Sequence, residues 1–303
     1  MILERARELK FDFTNAEMAE WAGLHASTVS RYLKKANWRL VKRKYRPLLT
    51  DNHKAARLAW AKTHERQEFM RWVDIDEKWF YTVPMTRSLK VPEGETPPRP
   101  KLQHKSHIPK LMMLVAVGRP DPQRGFNGMY GAWRVGDWER AKRNSKNRPK
   151  GTRIFVDKAM DSNRYLKMMK SQVIPAICKV YPDREVTIQY DNAPGHVSGQ
   201  TTRTLQQHVT RQRPNIRLLP QPPQSPDLNV LDLAVFPSLS SRVGKAQRTC
   251  GAYDKQTLWE NVKREARTLA GDVLTRAFDT KQRVIKAVIE DGGDNSFPIP
   301  RSK

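Results

Sequence analysis

Cysteine is almost absent from this 303-residue sequence, which contains only Cys178 and Cys250. Two cysteines so far apart exclude a disulfide scaffold and a cysteine zinc site, and they suit a reducing compartment. Long apolar runs are also missing, since no stretch approaches the roughly 20 residues that span a bilayer. Residues 1–10 are charged and lack the apolar core of a signal peptide. The sequence therefore predicts an intracellular protein that does not use a membrane.

Acidic residues are few relative to basic ones, since 31 Asp and Glu face 56 Lys and Arg, for a net charge of +25 and a pI near 10.3. A charge of this size attracts polyanions and speeds encounters with them. A well-solvated surface does not require so large an excess, so the composition favours a nucleic-acid partner. Residues 42–44 and 140–143 have the composition of nuclear localisation signals, although such clusters more often contact phosphate or water.

Residues 14–36 predict two short helices joined by a tight turn. Thr14 is expected to cap the first helix, Gly23 lies where the turn needs a positive φ, and Ser27 is expected to cap the second helix. An ordinary helical hairpin is the alternative, but the basic second helix favours a DNA-binding helix-turn-helix. The groups suited to base edges and phosphates are Ser27, Thr28, Ser30, Arg31, Lys34 and Lys35.

A linking helix is expected next, over about 51–66, with Thr50 as its cap and with Ala55, Leu58, Ala59 and Lys62 at helical spacing. Beyond it, strand patterns come first and then alternate with helix patterns. The strand candidates are 71–82, 111–117, 129–135, 186–190 and 216–219. The helix candidates are 162–181, 198–210, a segment starting near 228, and 255–290. This order predicts an α/β fold, a ribonuclease H-like mixed sheet with flanking helices, preceded by a small all-α domain.

The same patterns predict the domain limits. The predicted parts are a helix-turn-helix domain over 1–46, a helical linker over 47–70, a catalytic domain over 71–250 with an insertion at 84–107, and C-terminal helices and tail over 251–303.

Three acidic phrases interrupt this basic chain, at residues 73–79, 189–196 and 225–232. If the strands that carry Asp76 and Asp191 are neighbours, both side chains reach one point, and Asp232 can lean onto it from a helix. Three carboxylates at one point repel, so at least one should have a raised pKa unless divalent ions bind them. Two such ions can drive phosphodiester cleavage.

Each acid also has a plainer explanation. Asp74 shares a strand face with Asp76 and is its main rival. Asp191 could simply end a strand in a turn, and Asp227 is expected to be a helix N-cap and not a ligand. Taken together and in this order, the acids favour catalysis.

Several of these phrases resemble the mariner family of cut-and-paste DNA transposases, and the similarity runs from about residue 14 to beyond 240. The segments that carry it are Asp76-Glu77-Lys78-Trp79-Phe80, Asp191-Asn192-Ala193-Pro194-Gly195-His196, Pro222-Pro223-Gln224-Ser225-Pro226-Asp227-Leu228-Asn229, 49–58 and 142–151. The resemblance implies a metal-binding triad of Asp76, Asp191 and Asp232. An aspartate in third place, and its distance from the second, match the plant-type mariner-like branch.

The resemblance implies further roles. The triad would hold two Mg²⁺ or Mn²⁺ ions, with Asn192 and His196 in support. The insertion 84–107 would clamp the partner subunit of a homodimer on paired transposon ends, a disordered surface loop being the alternative. The family usually carries two helix-turn-helix units, and 14–36 resembles the second, so the first is expected to be missing. Further DNA contacts are assigned to Lys42, Arg43, Lys44, Arg143 and Lys146.

The sequence thus predicts a nuclear transposase that binds double-stranded DNA, at terminal inverted repeats and at the target, and that uses no small-molecule cofactor. A domesticated or defective copy that binds DNA without cutting is the alternative. A basic protein that binds RNA or chromatin is a weaker one, because it leaves the acidic phrases unexplained.

Overall fold

The computed structural model describes residues 1–9, 11, 13–38, 46–83, 108–146, 148–191, 199–213, 215–269 and 271–300. The chain divides into two compact units, Met1–Arg46 and Pro47–Lys303. The finer domain limits given above stay predictions. No helix in the described ranges is long and apolar enough to cross a membrane.

The smaller unit is helical, with a core of Ile2, Ala6, Met18, Ala19 and Val29. Its helices are α1 (Ile2–Glu8), α2 (Asn15–Ala22) and α3 (Ala26–Lys35). Thr14 caps α2 as predicted, because its hydroxyl accepts the Glu17 N–H at 3.2 Å while the Glu17 carboxylate accepts the Thr14 N–H at 2.6 Å. Gly23 ends α2 at φ 65°, also as predicted.

The start of α3 differs from the prediction. His25, and not Ser27, is the cap, since the His25 ring nitrogen Nδ1 accepts the Ser27 backbone N–H at 3.3 Å. His25 has extended backbone geometry, so the helix begins directly after it. The prediction failed because a ring nitrogen can do the work of the usual cap oxygen.

In the described part of the larger unit, five strands form one mixed sheet in the order β3-β2-β1-β6-β7. β1 runs antiparallel to β2 and parallel to β6, which is itself parallel to β7, and β2 is antiparallel to β3. The strands are β1 (Trp72–Tyr81), β2 (Lys110–Gly118), β3 (Met129–Arg134), β6 (Val186–Tyr190) and β7 (Ile216–Pro220). Each matches a strand candidate, so the predicted mixed sheet is confirmed.

A two-stranded hairpin, β4 (Gly136–Arg140) and β5 (Arg153–Asp157), was missed by the sequence reading. The basic stretch 142–150, predicted as a loop, lies at its tip. The strands escaped notice because they are short and begin or end in charged residues, with one aromatic residue each, the edge-to-face pair of Trp138 and Phe155 at 5.4 Å.

Helices cover both faces of the sheet, so β1 alternates between two cores. Val73 and Ile75 enter one core, whereas Trp72 and Phe80 enter the other. The first core is covered by α5 (Ser162–Met168), a wide π-type turn (Met169–Val173), α6 (Ile174–Val180) and α7 (Gly199–Gln212). The second is covered by α4 (Asp51–His64), α8 (Phe236–Cys250), α9 (Lys255–Arg267) and α10 (Gly271–Glu290).

Two predicted helices are interrupted, and each interruption has a local cause. The helix predicted over 162–181 contains the wide turn Met169–Val173, directly before Pro175. Proline lacks an N–H and clashes with the carbonyl four residues earlier, so a wider turn relieves the clash. A second wide turn, Leu231–Val235, precedes Pro237 in the same way. It follows a single 3₁₀ turn, Pro226–Leu228, where the helix near 228 was predicted.

The buried face of α4 also differs from the prediction. Thr50 caps the helix as expected, with its hydroxyl accepting the His53 N–H at 3.3 Å. However, the fully buried residues are Arg57 and Ala61. The spacing of apolar residues predicted the wrong buried face, because the large side chain that enters the core is the cation Arg57.

Candidate active site

The register of two parallel strands places two of the predicted acids side by side. β1 pairs with β6 so that Asp74 lies opposite Gln189. Asp76 and Asp191 each follow two residues later, so they stand level at the same edge of the sheet. The two strands are therefore neighbours, which is the condition under which the sequence predicts that Asp76 and Asp191 reach one point.

Asp232 reaches the same edge from the wide turn after Val230. Its carboxyl group lies close enough to that of Asp76 for each to influence the pKa of the other. Asp76 is held in place by the Glu77 N–H, which donates to Oδ1 at 2.7 Å, and by Asn229 Nδ2 at 3.4 Å from Oδ2. Two carboxylates brought this close repel each other unless one is protonated or a cation lies beside them.

Burial and neighbouring carboxylates raise the pKa of Asp76 and Asp232. Burial raises the pKa of Asp76 to about 9, and the charges of Asp232, Glu77 and Asp191 add to the rise. The pKa of Asp232 is raised as well, chiefly because the protein shields its carboxyl group from water. The charge of Lys78 opposes this rise, and the charge of Asp191 adds to it. The predicted raised pKa is therefore present.

The donor set suits a hard divalent ion. Mg²⁺ prefers oxygen ligands and is commonly bound through one or two carboxylates, with substrate phosphate and water completing its shell. The carboxyls of Asp76, Asp191 and Asp232 are oxygen donors of this kind, and their charges act on one another. Within the described residues, no group of three or more His, Cys, Asp or Glu side chains is arranged to hold a metal. The donor chemistry nevertheless suits Mg²⁺, and substrate phosphate and water would complete its shell.

Asp74, the rival of Asp76, is a buried structural residue. Its carboxylate accepts the Trp72 indole N–H and the Val230 backbone N–H, both at 2.8 Å, and the Lys281 ammonium at 2.7 and 2.9 Å. These bonds occupy the lone pairs of both oxygens. The structure therefore separates two acids that share a strand face.

Asp227 is not the predicted N-cap. Ser225 precedes the short turn, and Asp227 lies inside it, where its two oxygens accept Arg57 Nη1 and Nη2 at 2.7 and 2.8 Å. Arg57 is fully buried, and its Nε donates to the Gly293 carbonyl at 2.9 Å. Arg57 lies in one of the family-like segments, so its presence there was the available signal.

Lys281 was missed for a related reason. It interrupts the apolar face of α10, whose buried residues are Leu274, Ala277, Phe278, Lys281, Val284, Ile285 and Val288. A single lysine among apolar residues at helical spacing was the available signal, but it did not reveal the partner.

The predicted DNA-contact residues of α3 and of the hairpin tip are exposed to solvent. In α3, Val29 is buried and Leu33 half-buried, so the opposite face is open. The exposed candidates are Ser27, Thr28, Ser30, Arg31, Lys34, Lys35, Arg143 and Lys146. The remaining candidates, Lys42, Arg43, Lys44, Asn192, His196 and the insertion 84–107, lie outside the described residues.

Comparisons with known proteins concern the helix-turn-helix segment and the fold. A Tc3-type helix-turn-helix family model described as "Transposase" matches residues 14–66. The structure titled "Mos1 transposase paired-end complex with left transposon end" is similar over 97% of this chain and 79% of that one, with a TM-score of 0.65 and 17% identity. The "Crystal structure of the catalytic domain of Mos1 mariner transposase" covers 83% of this chain and 99% of its own, with a TM-score of 0.55 and 16% identity.

A third similar structure, the "Crystal structure of the Mos1 mariner paired end complex with Mn", has a TM-score of 0.66 and 17% identity, over 97% of this chain and 78% of that one. A comparison with curated proteins finds no significant match. At these identities the structural likeness concerns the fold, whereas the match at 14–66 concerns the sequence. Together they confirm the resemblance read from the acidic phrases: residues 14–66 match a transposase helix-turn-helix model, and the ribonuclease H-like fold of this chain is similar to that of the Mos1 mariner transposase structures.

Proposed function

We propose that this protein is a cut-and-paste DNA transposase that binds terminal inverted repeats, cuts both strands with the help of divalent metal and joins the free 3′ end to target DNA. The observation that carries the proposal is the convergence of Asp76, Asp191 and Asp232, which repel one another at one edge of the sheet. Such repulsion is costly unless a cation offsets it. It is the arrangement expected of a site built for metal and phosphate.

The protein's own groups have distinct roles in this proposal. Bound Mg²⁺ or Mn²⁺, as two ions, would activate the attacking water or hydroxyl and neutralise charge on the leaving oxygen. Asp76, Asp191 and Asp232 would hold these ions. The Asn229 amide and the Glu77 backbone N–H orient the Asp76 carboxylate. Asn192 and His196 keep their supporting roles as part of the proposal.

DNA recognition is assigned to the smaller unit. The basic, exposed face of α3 suits the major groove, and Arg143 and Lys146 on the hairpin tip suit the phosphate backbone. Lys42, Arg43 and Lys44 would extend that contact. The match of residues 14–66 to a transposase helix-turn-helix supports this assignment.

The similar structures guide the choice of partners. Their titles name a left transposon end, a strand transfer complex, and crystals with Mn and with Mg. For this chain we infer transposon-end and target DNA as partners, a homodimer on paired ends, with 84–107 as the clamp between subunits, and action in the nucleus.

The test is cleavage of DNA that carries the element's inverted repeats, with Mg²⁺ or Mn²⁺. Asp191→Ala is expected to abolish cutting while leaving repeat binding intact. Asp183→Ala, an exposed aspartate shortly before the same strand, is the matched control and should cut at the parent rate. Cutting by Asp191→Ala at the parent rate would overturn the proposal.

A second candidate is a copy that binds DNA without cutting it. The observation in its favour is that the described residues contain no metal-ready group of three acids or histidines. Salt-dependent binding to repeat DNA, with no nick even in Mn²⁺, would select this function over the first.

A further inference from the structure

Lys281 occupies an unusual position under the candidate active site. It lies on α10, is fully buried and makes three hydrogen bonds. Its ammonium donates to both oxygens of Asp74, at 2.7 and 2.9 Å, and to Gln189 Oε1 at 2.8 Å. An ammonium has three donor hydrogens, so this one is fully used.

The two partners of Lys281 extend the network to a third chain segment. Asp74 on β1 accepts the Val230 backbone N–H at 2.8 Å. Gln189 on β6 donates its amide to the Leu228 carbonyl at 2.9 Å and to Gln221 Oε1 at 3.1 Å. One buried ammonium therefore joins β1, β6 and the segment that leads into the wide turn.

The spacing of these contacts relates them to the acids. Asp74, Gln189 and Val230 each precede one of Asp76, Asp191 and Asp232 by two positions. On the two strands, two residues are one period, so each contact lies on the same face as the acid that follows. The network thus holds each of the three acid-bearing segments at a residue two positions before its acid.

A purely stabilising ion pair is the simpler explanation, and its surroundings argue against it. The ammonium lies among aromatic rings, with the centroids of Phe69 and Trp72 at 5.0 Å and those of Trp60 and Phe278 at 6.0 Å. An apolar side chain could fill such a place, and replacing a buried ion pair by apolar residues is often neutral or stabilising. The best-attested use of such a pair is to fix register.

We propose that Lys281 is a positioning residue for the acid triad, which holds Asp76, Asp191 and Asp232 in register from below through Asp74, Gln189 and the Val230 N–H. It touches neither metal nor DNA. The proposal rests on the metal site of the proposed function, and it adds a residue from the C-terminal helix to that site's support.

The test measures Mn²⁺ binding to the full chain by calorimetry, beside urea unfolding. Lys281→Met should be destabilised, because it leaves the Asp74 carboxylate buried and unpaired. Lys281→Met with Asp74→Asn removes both charges and should regain most of the stability. Its Mn²⁺ affinity should nevertheless fall by about tenfold or more, the usual loss when the support of a metal ligand is removed.

Two further variants make the test robust. Gln189→Met keeps the ion pair and removes only the β6 contact, so it should weaken Mn²⁺ binding even if the lysine variants fold poorly. Arg119→Met removes a different ion pair to α10, with Asp279 at 2.7 Å, and should bind Mn²⁺ as the parent does. Its stability loss provides the matched control.

The outcomes separate this proposal from the proposed function. Parent-level Mn²⁺ affinity in the Lys281→Met/Asp74→Asn protein, or in Gln189→Met, overturns the positioning role and leaves the acid site standing. An equal loss in Arg119→Met overturns it as well, because the effect would then be general. If the parent binds no Mn²⁺, or Asp76→Asn binds it as tightly, the acid site itself is overturned and both proposals with it.

Discussion

Arg57 and Lys281 are both fully buried cations, yet they meet their carboxylates differently. Arg57 forms a two-pronged pair with Asp227 and also donates to the Gly293 carbonyl, so it joins α4 to the chain on both sides of α8–α10. The flat guanidinium matches a carboxylate with two parallel bonds, which an ammonium cannot do. Asp76, in contrast, is a largely buried acid that forms no ion pair with any residue in the part of the chain that the structure describes.

The Arg57 pair gives the first prediction. Arg57→Met should lower the free energy of unfolding by about 3 kcal/mol, because it leaves a mostly buried carboxylate and a carbonyl unpaired. Urea titration measures the loss. Arg276→Met, which breaks the exposed pair with Asp272, is the control and should cost far less, because solvent screens that pair. If both variants lost the same free energy of unfolding, burial would not make the Arg57–Asp227 pair more important for stability than an exposed pair.

The second prediction concerns the pH dependence of stability without metal. The pKa of Asp76 is about 9 in the folded state, whereas the pKa of an aspartate in the unfolded chain is about 3.9. Between these two pH values the folded state binds more protons than the unfolded state. The contribution of Asp76 to the free energy of unfolding is therefore fully present below about pH 4 and is lost as the pH rises toward 9. In EDTA, Asp76→Asn should therefore have the higher Tm at pH 8, by at least about 2–4 °C.

Thermal scans of parent and variant from pH 5 to 9 provide the measurement. The difference in Tm should grow with pH and shrink when Mg²⁺ is added, because the ion offsets the repulsion in the parent only. A difference that does not change with pH would contradict the assigned pKa.

At the scale of elements, glycine has opposite roles within one helix. Gly251 ends α8 at φ 67°, a conformation that a side chain disfavours even in open space, whereas Gly244 lies inside the helix. A Cβ at Gly244 would come within 3.4 Å only of the flexible end of Arg248.

Alanine at these two positions should shift stability in opposite directions. Gly251→Ala should destabilise the larger unit by about 1 kcal/mol, since φ is unfavourable for alanine. Gly244→Ala should stabilise it by about 0.5–1 kcal/mol, since alanine loses less backbone freedom in a helix. Urea midpoints of the two variants provide the comparison. The same sign for both would mean that α8 does not end at Gly251.

Elements with a clean pattern were predictable, and those with a mixed pattern were not. The run that became β6 matched its prediction residue for residue, because Val186, Ile188 and Tyr190 alternate along it at strand spacing. The hairpin β4–β5 was missed because it is a half-exposed ribbon in which even Trp138 faces solvent, so neither strand has an apolar buried face. The wide turn at Leu231–Val235 has no hydropathy signal at all, and only Pro237 marks it.

Within the site, the acids could be found and their supports could not. Carboxylates in buried strands contradict the local pattern and so attract notice. Lys281 and Asp74 are 207 residues apart, and Arg57 and Asp227 are 170 apart, so neither pair has a local signal. Only the fold identifies which cation meets which acid.

For the whole molecule, a net charge of +25 should make salt act in two opposite directions. Self-repulsion weakens the compact state, and salt screens it, so the Tm should rise between 50 and 500 mM NaCl. DNA affinity should fall by at least about a hundredfold between 50 and 200 mM, because the counterions that binding releases gain less entropy when the bulk salt concentration is higher. Thermal scans and fluorescence anisotropy on repeat DNA measure the two effects.

A paired variant locates part of the second effect. Lys34→Gln with Lys35→Gln lies on the exposed end of α3. This double variant should make the slope of log affinity against log salt concentration shallower, by the equivalent of up to about two phosphate contacts. Lys286→Gln, an exposed lysine on α10, should leave it unchanged. An unchanged slope in the α3 variant would remove α3 from the DNA interface.

The wide turn at Leu231–Val235 has a further consequence for Asp232. A wide turn holds one residue more than a regular turn, and each residue of a helix rotates the next side chain by about 100°. The turn therefore separates two angular settings, one that aims Asp232 at Asp76 and one that packs Phe236, Leu239 and Val243 into the core. Because the extra residue absorbs the difference in phase, the direction of the acid can be set without rotating the helix that follows it.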